Sequence, residues 1–114
     1  MKATFKELTA FSNHREAYLK DSDFRKLQEL LMENPKAGPV IKGTGGLRKV
    51  RLADTRRGKG KRGGVRVIYY WCLGASQFWL FTLYDKDEVS DLTKAQKKAL
   101  KLMLKNEEKE HGEA

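Results

Sequence analysis

The sequence predicts an α+β fold: a small twisted antiparallel sheet of about four strands, with two N-terminal helices and one C-terminal helix. Three observations predict it. Two neighbouring segments, VRVIYYWCL and FWLFTLY, are rich in β-branched and aromatic residues and are separated by a short turn. Apolar residues recur at helical spacing both well before and just after this pair. The helical segments are thus segregated from grouped strands, the pattern of helices packed on an antiparallel sheet rather than alternating βαβ units. The chain has 114 residues with 39% hydrophobic content, enough for one domain over residues 1–114 with one modest core.

The elements follow in order. Lys2 to Leu8 alternates and reads as a short strand. Ser12 is placed to cap a short helix through about Leu19, and Asp21 and Ser22 offer a second cap. Phe24, Leu27, Leu30 and Leu31 lie at helical spacing, so residues 23–33 form an amphipathic helix, which Pro35 ends. Residues 36–47 are a glycine-rich loop. Arg48 to Ala53 reads as a strand, with Val50 and Leu52 on one face and Lys49 and Arg51 on the other. Residues 54–64 carry no apolar side chain and read as a mobile loop. Val65–Leu73 and Phe78–Tyr84 then form an antiparallel hairpin around the turn at Gly74–Gln77, apolar on both faces and so central in the sheet. A last helix starts near Leu92, with Thr93 and Gln96 spaced as a capping box and Ala99, Leu100, Met103 and Leu104 on its buried stripe. The tail from about residue 106, NEEKEHGEA, is polar and expected to fray.

Charge is the strongest functional signal. The net charge is +9, with pI near 9.7. Between residues 42 and 66, ten Lys and Arg residues face one acid, Asp54, and seven glycines are threaded among them. Such a run repels itself unless a polyanion neutralises it, and flanking folded segments argue against a tail; the expected partner is a phosphate backbone. No apolar stretch approaches the roughly 20 residues of a membrane span, and the N-terminus lacks a signal peptide's apolar region. The single cysteine, Cys72, cannot form an internal disulfide; it reads as a small buried hydrophobe in a reducing cytoplasm.

Several chemistries are disfavoured. Gly58, Gly60 and Gly63 match GxGxxG in form, but a strand follows where the motif requires a helix. Gly38 and Gly43 have Walker A spacing, but Thr44 stands in the lysine's place. Two separated histidines, His14 and His111, in charged stretches and one cysteine make no transition-metal set. Asp85, Asp87, Glu88 and Asp91 cluster after the last strand; they read as loop polarity, with Asp91 capping the final helix, and less readily as a Mg²⁺ site.

The basic residues on strands are more informative. Lys49 and Arg51 share a face about 7 Å apart. Arg66 opens the next strand on the face of Ile68 and Tyr70, and approaches them if the two strands pair. Arginine offers bidentate donors to phosphate oxygens, and crowded cations lower a lysine's pKa toward that of a usable base. From these positions alone two readings stand: a scissile-phosphate site, or a solvated basic face that grips a backbone.

The motifs GTGGLRKVRLA, GKGKRGGVRVIYY and FTLYDKDEVSDL resemble the RelE superfamily of bacterial toxins, and within it the HigB-type branch. The resemblance spans about Phe5 to Leu104 and implies the family's compact fold. It also implies a metal-independent endoribonuclease, needing no cofactor, that enters the ribosomal A site. There it would cut mRNA by attack of the RNA's own 2′-hydroxyl and so inhibit translation. The basic pair of the LRKVRL strand carries over as Lys49 and Arg51, the arginine opening the next strand as Arg66, and the basic residue past the last strand as Lys86. Where a well-studied branch has a further arginine and a tyrosine, this chain has Asp87 and Leu92 or Thr93; Tyr84 is the substitute for base stacking. Arg48, Arg56, Arg57, Lys59, Lys61 and Arg62 are assigned to ribosomal and messenger RNA contacts. The implied partners are the 70S ribosome, its rRNA and mRNA, and a cognate antitoxin with a HigA-like helix-turn-helix. The rival reading is a non-catalytic RNA-binding or ribosome-associated protein. A transcription factor is weaker, because neither helical segment reads as a recognition helix.

Overall fold

The computed structural model describes residues 2–53, 64–86 and 91–111. In chain order its elements are β1 (Thr4–Glu7), α1 (Thr9–Tyr18), α2 (Asp21–Glu33), β2 (Arg48–Leu52), β3 (Val65–Cys72), β4 (Gln77–Asp85) and α3 (Lys94–Glu110). The strands form one sheet in the order β1-β4-β3-β2. The aromatic hairpin β3–β4 is therefore central, as its two-sided apolar character requires.

The sheet is mixed rather than wholly antiparallel. β2–β3 and β3–β4 are antiparallel, but β1 pairs parallel with β4, from Thr4 opposite Gln77 to Glu7 opposite Leu80. A parallel pair needs a long crossover, and the chain between β1 and β4 provides one through both N-terminal helices and two strands. Alternation within β1 cannot reveal direction, since it is the same for either pairing.

Two apolar layers cover the sheet. One face packs Val50, Val65, Val67, Tyr69, Phe78, Leu80 and Leu83 against Phe11, Leu19, Leu27 and Leu31 of the N-terminal helical hairpin. The other packs Leu47, Ile68, Cys72, Trp79 and Phe81 against Leu100 and Leu104 of α3. Cys72 is buried, as its apolar surroundings require. In β4, Ile68 faces Thr82 while Tyr69 faces Leu80, so Phe81 has no cross-strand partner and forms a bulge. Beyond it the alternation is reset, and Thr82 and Tyr84 face the α3 side while Leu83 faces the helical hairpin.

Helix boundaries follow local chemistry, with three corrections. α1 starts at Thr9, ahead of Ser12, and its N-cap Leu8 offers no side-chain bond. Leu8 is fixed instead by its own backbone, whose N–H donates to the Leu80 carbonyl at 2.9 Å and so ties the turn into the sheet. α2 includes Asp21 and Asp23 in its first turn, where they complement the helix dipole rather than cap it. α3 continues through the stretch expected to fray. Lys6 Nζ meets Glu107 Oε2 at 2.7 Å, and the His111 ring lies 4.8 Å from Trp79, so packing anchors its last turns. The capping box is present in full: Thr93 Oγ1 accepts from Gln96 N at 3.1 Å, and Gln96 Oε1 accepts from Thr93 N at 2.8 Å. Asp91 does not cap the helix; its carboxylate accepts from Leu92 N.

Candidate nucleic-acid site

β2 owes its placement to the loop before it. Thr44 is fully buried, donates through Oγ1 to the Ile41 carbonyl at 2.7 Å and accepts from Leu47 N at 3.1 Å. Gly43, Gly45 and Gly46 around it have φ of 90°, 84° and 128°, a conformation that side chains disfavour. Lys49 N donates to the Pro39 carbonyl at 3.1 Å, Ile41 N to the Leu47 carbonyl at 2.7 Å, and Arg48 Nη1 to the Gly38 carbonyl at 2.9 Å. Gly38 is packed so closely that a Cβ there would overlap the Lys49 carbonyl. The loop thus fixes the backbone beneath Lys49.

On this sheet Arg51 pairs with Arg66, and Arg66 with Tyr84, so the three occupy one row across β2, β3 and β4. The next row is Lys49, Ile68 and Thr82. Directly opposed residues stand about 4.5–5.5 Å apart. Arg66 is 2% exposed and Tyr84 8% exposed, while Arg51 is exposed and Lys49 and Lys86 are half-buried. Arg66 Nη1 donates to the Gly64 carbonyl at 3.2 Å, and that carbonyl also accepts from Lys86 N at 3.2 Å. The start of β3 and the end of β4 are thereby tied together beside the cations.

The electrostatics couple these groups. Burial lowers the Lys49 pKa first; Asp91 opposes the shift, and Arg51, Arg66 and Lys86 add to it. Arg66 is also lowered, by burial and then by Arg51. Burial raises Tyr84, against the pull of Arg66 and Arg51. Lys49, Arg51, Arg66, Tyr84 and Lys86 are therefore one interacting set. The lysine's charged form is disfavoured, the buried guanidinium has fixed donors, and the phenol holds its proton.

Arg48 is not brought to this set. It neighbours Lys49 in the strand, so its side chain takes the opposite face, where its guanidinium holds Gly38. Arg56, Arg57, Lys59, Lys61 and Arg62 lie outside the described residues, as do Asp87 and Glu88. Asp85 is fully buried at the end of β4.

Two features escaped the sequence reading. Asp91 acts electrostatically on both Lys49 and Tyr84. A cavity of about 320 Å³ adjoins Tyr84, walled by Thr82, Leu92, Gln96, Leu100 and Met103 among others. Thr82 and Tyr84, two apart in the sequence, were a signal for a shared face; the α3 wall depends on tertiary packing and left none.

No protein-family model matches the chain. Among solved structures it is similar to E. coli toxin RelE carrying two arginine substitutions, in the free state. That match has 14% identity and a TM-score of 0.52, covering 79% of this chain and 90% of that one. It is similar also to the intact E. coli RelBE toxin–antitoxin complex, with 13% identity and a TM-score of 0.52, covering 72% of this chain and 94% of that one. The chain has the RelE fold. Within that fold, the Arg51–Arg66–Tyr84 row lies on the sheet face that also packs α3, at the end of the strands away from the β3–β4 turn.

Proposed function

We propose that this protein is the toxin of a type II toxin–antitoxin pair: a ribosome-dependent endoribonuclease that cuts mRNA in the A site and inhibits translation. The observation that carries this reading is the single row of Arg51, Arg66 and Tyr84 with Lys49 beside it, at a lowered pKa. The RelE fold and the HigB-type motifs support it.

In this reading Lys49, in its neutral form, takes the proton of the RNA 2′-hydroxyl. The 2′-oxygen attacks the adjacent phosphorus and the bond to the 5′-oxygen breaks; the departing 5′-oxygen takes a proton from water, leaving a 2′,3′-cyclic phosphate and a 5′-hydroxyl. Arg51, which is exposed, donates to the non-bridging oxygens, where charge builds in the transition state, and the buried Arg66 beside it adds a fixed positive charge to the same clamp. Lys86 adds a cation to the same phosphate and is the alternative base. Tyr84 was expected to stack a base, but an 8% exposed ring offers little face. Its raised pKa suits a neutral hydrogen-bond donor instead. The chemistry asks only for side chains, with no cofactor.

The proposed partners are the 70S ribosome with its mRNA, and a cognate antitoxin of the helix-turn-helix, HigA-like kind, all in the cytoplasm. Among the described residues no helix is long and apolar enough to cross a membrane. The test adds purified protein to translating ribosomes and maps mRNA ends. New 5′-hydroxyl ends within ribosome-protected codons are expected. Tight binding with intact mRNA would instead leave a non-catalytic RNA binder.

A further inference from the structure

A second basic feature lies outside the reacting row. From Lys94 to Lys105, α3 carries Lys94, Lys97, Lys98, Lys101 and Lys105 and no acid. Four of them, with Lys42 and Gly43 from the loop before β2, line an open groove of about 400 Å³. The loop lies close against the lysine stems: a Cβ at Gly43 would be 3.8 Å from Lys97 Cδ, and one at Gly45 3.6 Å from Lys101 Cγ. Lys42, Lys94, Lys98 and Lys101 are exposed and Lys97 is half-buried.

This arrangement works against the helix that bears it. Lys94 and Lys98, and Lys97 and Lys101, are like charges four apart, which cost an isolated helix a few tenths of a kcal/mol per pair. Lys94 and Lys97 also stand near the helix N-terminus, where the dipole favours anions. Packing of Leu100 and Leu104 holds the helix despite this. The groove has five ammonium groups and no carboxylate in its lining, so it suits a row of anions. Lysines without an arginine fork act as point charges, which suits a run of backbone phosphates held by charge and not by the geometry of one group. From Lys94 to Lys101 the helix advances about 10 Å, enough to meet two successive phosphates or more.

We propose that the groove between α3 and residues 42–43 is a second phosphate-backbone grip, which holds an RNA strand independently of the reacting row. It deepens the functional reading in its partner class and rests on that reading for RNA, not for cleavage. Gln96 joins the two places, since it walls the Tyr84 cavity while Lys97 beside it lines the groove.

The test compares two variants with equal loss of charge. One replaces Lys94, Lys97, Lys98 and Lys101 by Gln; the other replaces Lys20, Arg25, Lys26 and Lys36 by Gln, around α2. Binding of a fluorescein-labelled RNA hairpin is followed by anisotropy across a salt series. Each lost phosphate contact lowers the log–log salt slope by roughly 0.7–0.9, so the groove variant, with four lysines removed, is expected to lose about 3 in slope. Its affinity should fall at least 10-fold at about 0.1 M salt. The α2 variant should lose well under half as much. Equal losses in both, or an unchanged slope in the groove variant, overturn the proposal. So does loss of polyglutamate binding with RNA binding intact, which would assign the groove to an acidic polypeptide. Thermal melts serve as the folding control, since Gln is a good helix former and removal of like charges should not lower Tm. If the parent protein passes the RNA test but cuts no mRNA on ribosomes, the nuclease reading falls and the groove stands. If it cuts mRNA while the groove variant keeps its slope, the groove falls alone.

Discussion

Lys49 is the residue on which the proposed chemistry turns, and its environment sets a pH dependence. Its folded pKa lies below the usual lysine value, because burial and three neighbouring cations disfavour the charged form. Cleavage should therefore rise with pH through a limb whose midpoint lies below ~10.4. A pH–rate profile on stalled ribosomes checks this, and Lys49→Arg should abolish the limb, because arginine does not deprotonate. The same shift has a stability consequence of defined sign. Between the folded and unfolded pKa values the unfolded chain binds more protons, so stability rises with pH across that window and the penalty is fully present below the folded pKa. Lys49→Gln should thus raise Tm slightly on the acid side of that window while destroying activity. Arg66 behaves differently. Arg66→Ala should cost about 10²–10³ in cleavage rate while RNA affinity changes by little more than one phosphate contact. A single-turnover rate set beside a binding isotherm separates the two.

At the scale of elements, the loop from Lys36 to Leu47 determines where Lys49, the proposed base, stands. Gly38 is 3.0 Å from Val50 N at its would-be Cβ, and the Lys49 carbonyl is nearer still. Gly38→Ala must push β2 away, although Gly38 itself is buried. Displacement by an ångström misaligns a reacting group by roughly 10² in rate. Cleavage should fall on that order, with an overpacking cost of about 1–3 kcal/mol read by denaturant titration. α3 offers a milder lesion. Thr93→Ala removes half of the capping box and should cost about 1 kcal/mol, or some 4–8 °C in Tm, without altering the row of cations. These elements also show what the sequence made legible. The hairpin, the basic strand and the capping box were all readable, because period-two alternation and cap chemistry are local. The parallel partner of β1 and the anchoring of the last turns of α3 were not. Each depends on contacts distant in the chain, such as Lys6 with Glu107.

For the whole molecule, charge dominates behaviour. A net +9 on 114 residues, with cations gathered on β2, β3 and α3, implies self-repulsion in the folded state. Raising ionic strength from about 10 mM to about 200 mM shortens the screening length from roughly 30 Å to under 10 Å. Tm should therefore rise over this range in the free protein, as calorimetry would show, while RNA affinity falls. Two opposite responses to one variable would tie both to the same cations. The two apolar layers are what tolerate the repulsion: Phe11, Leu27 and Leu31 on one side and Trp79, Phe81 and Leu104 on the other are buried regardless of salt.

The unpaired Phe81 in β4 makes register, more than composition, the constraint on this site. Were Phe81 paired with Ile68 instead, the rest of the strand would slip by one residue. Leu83 would then stand opposite Arg66, and Tyr84 would turn from the cations toward the helical hairpin's core. A neighbouring substitution perturbs one contact, whereas this slip would exchange the inside and the outside of the surface in a single step.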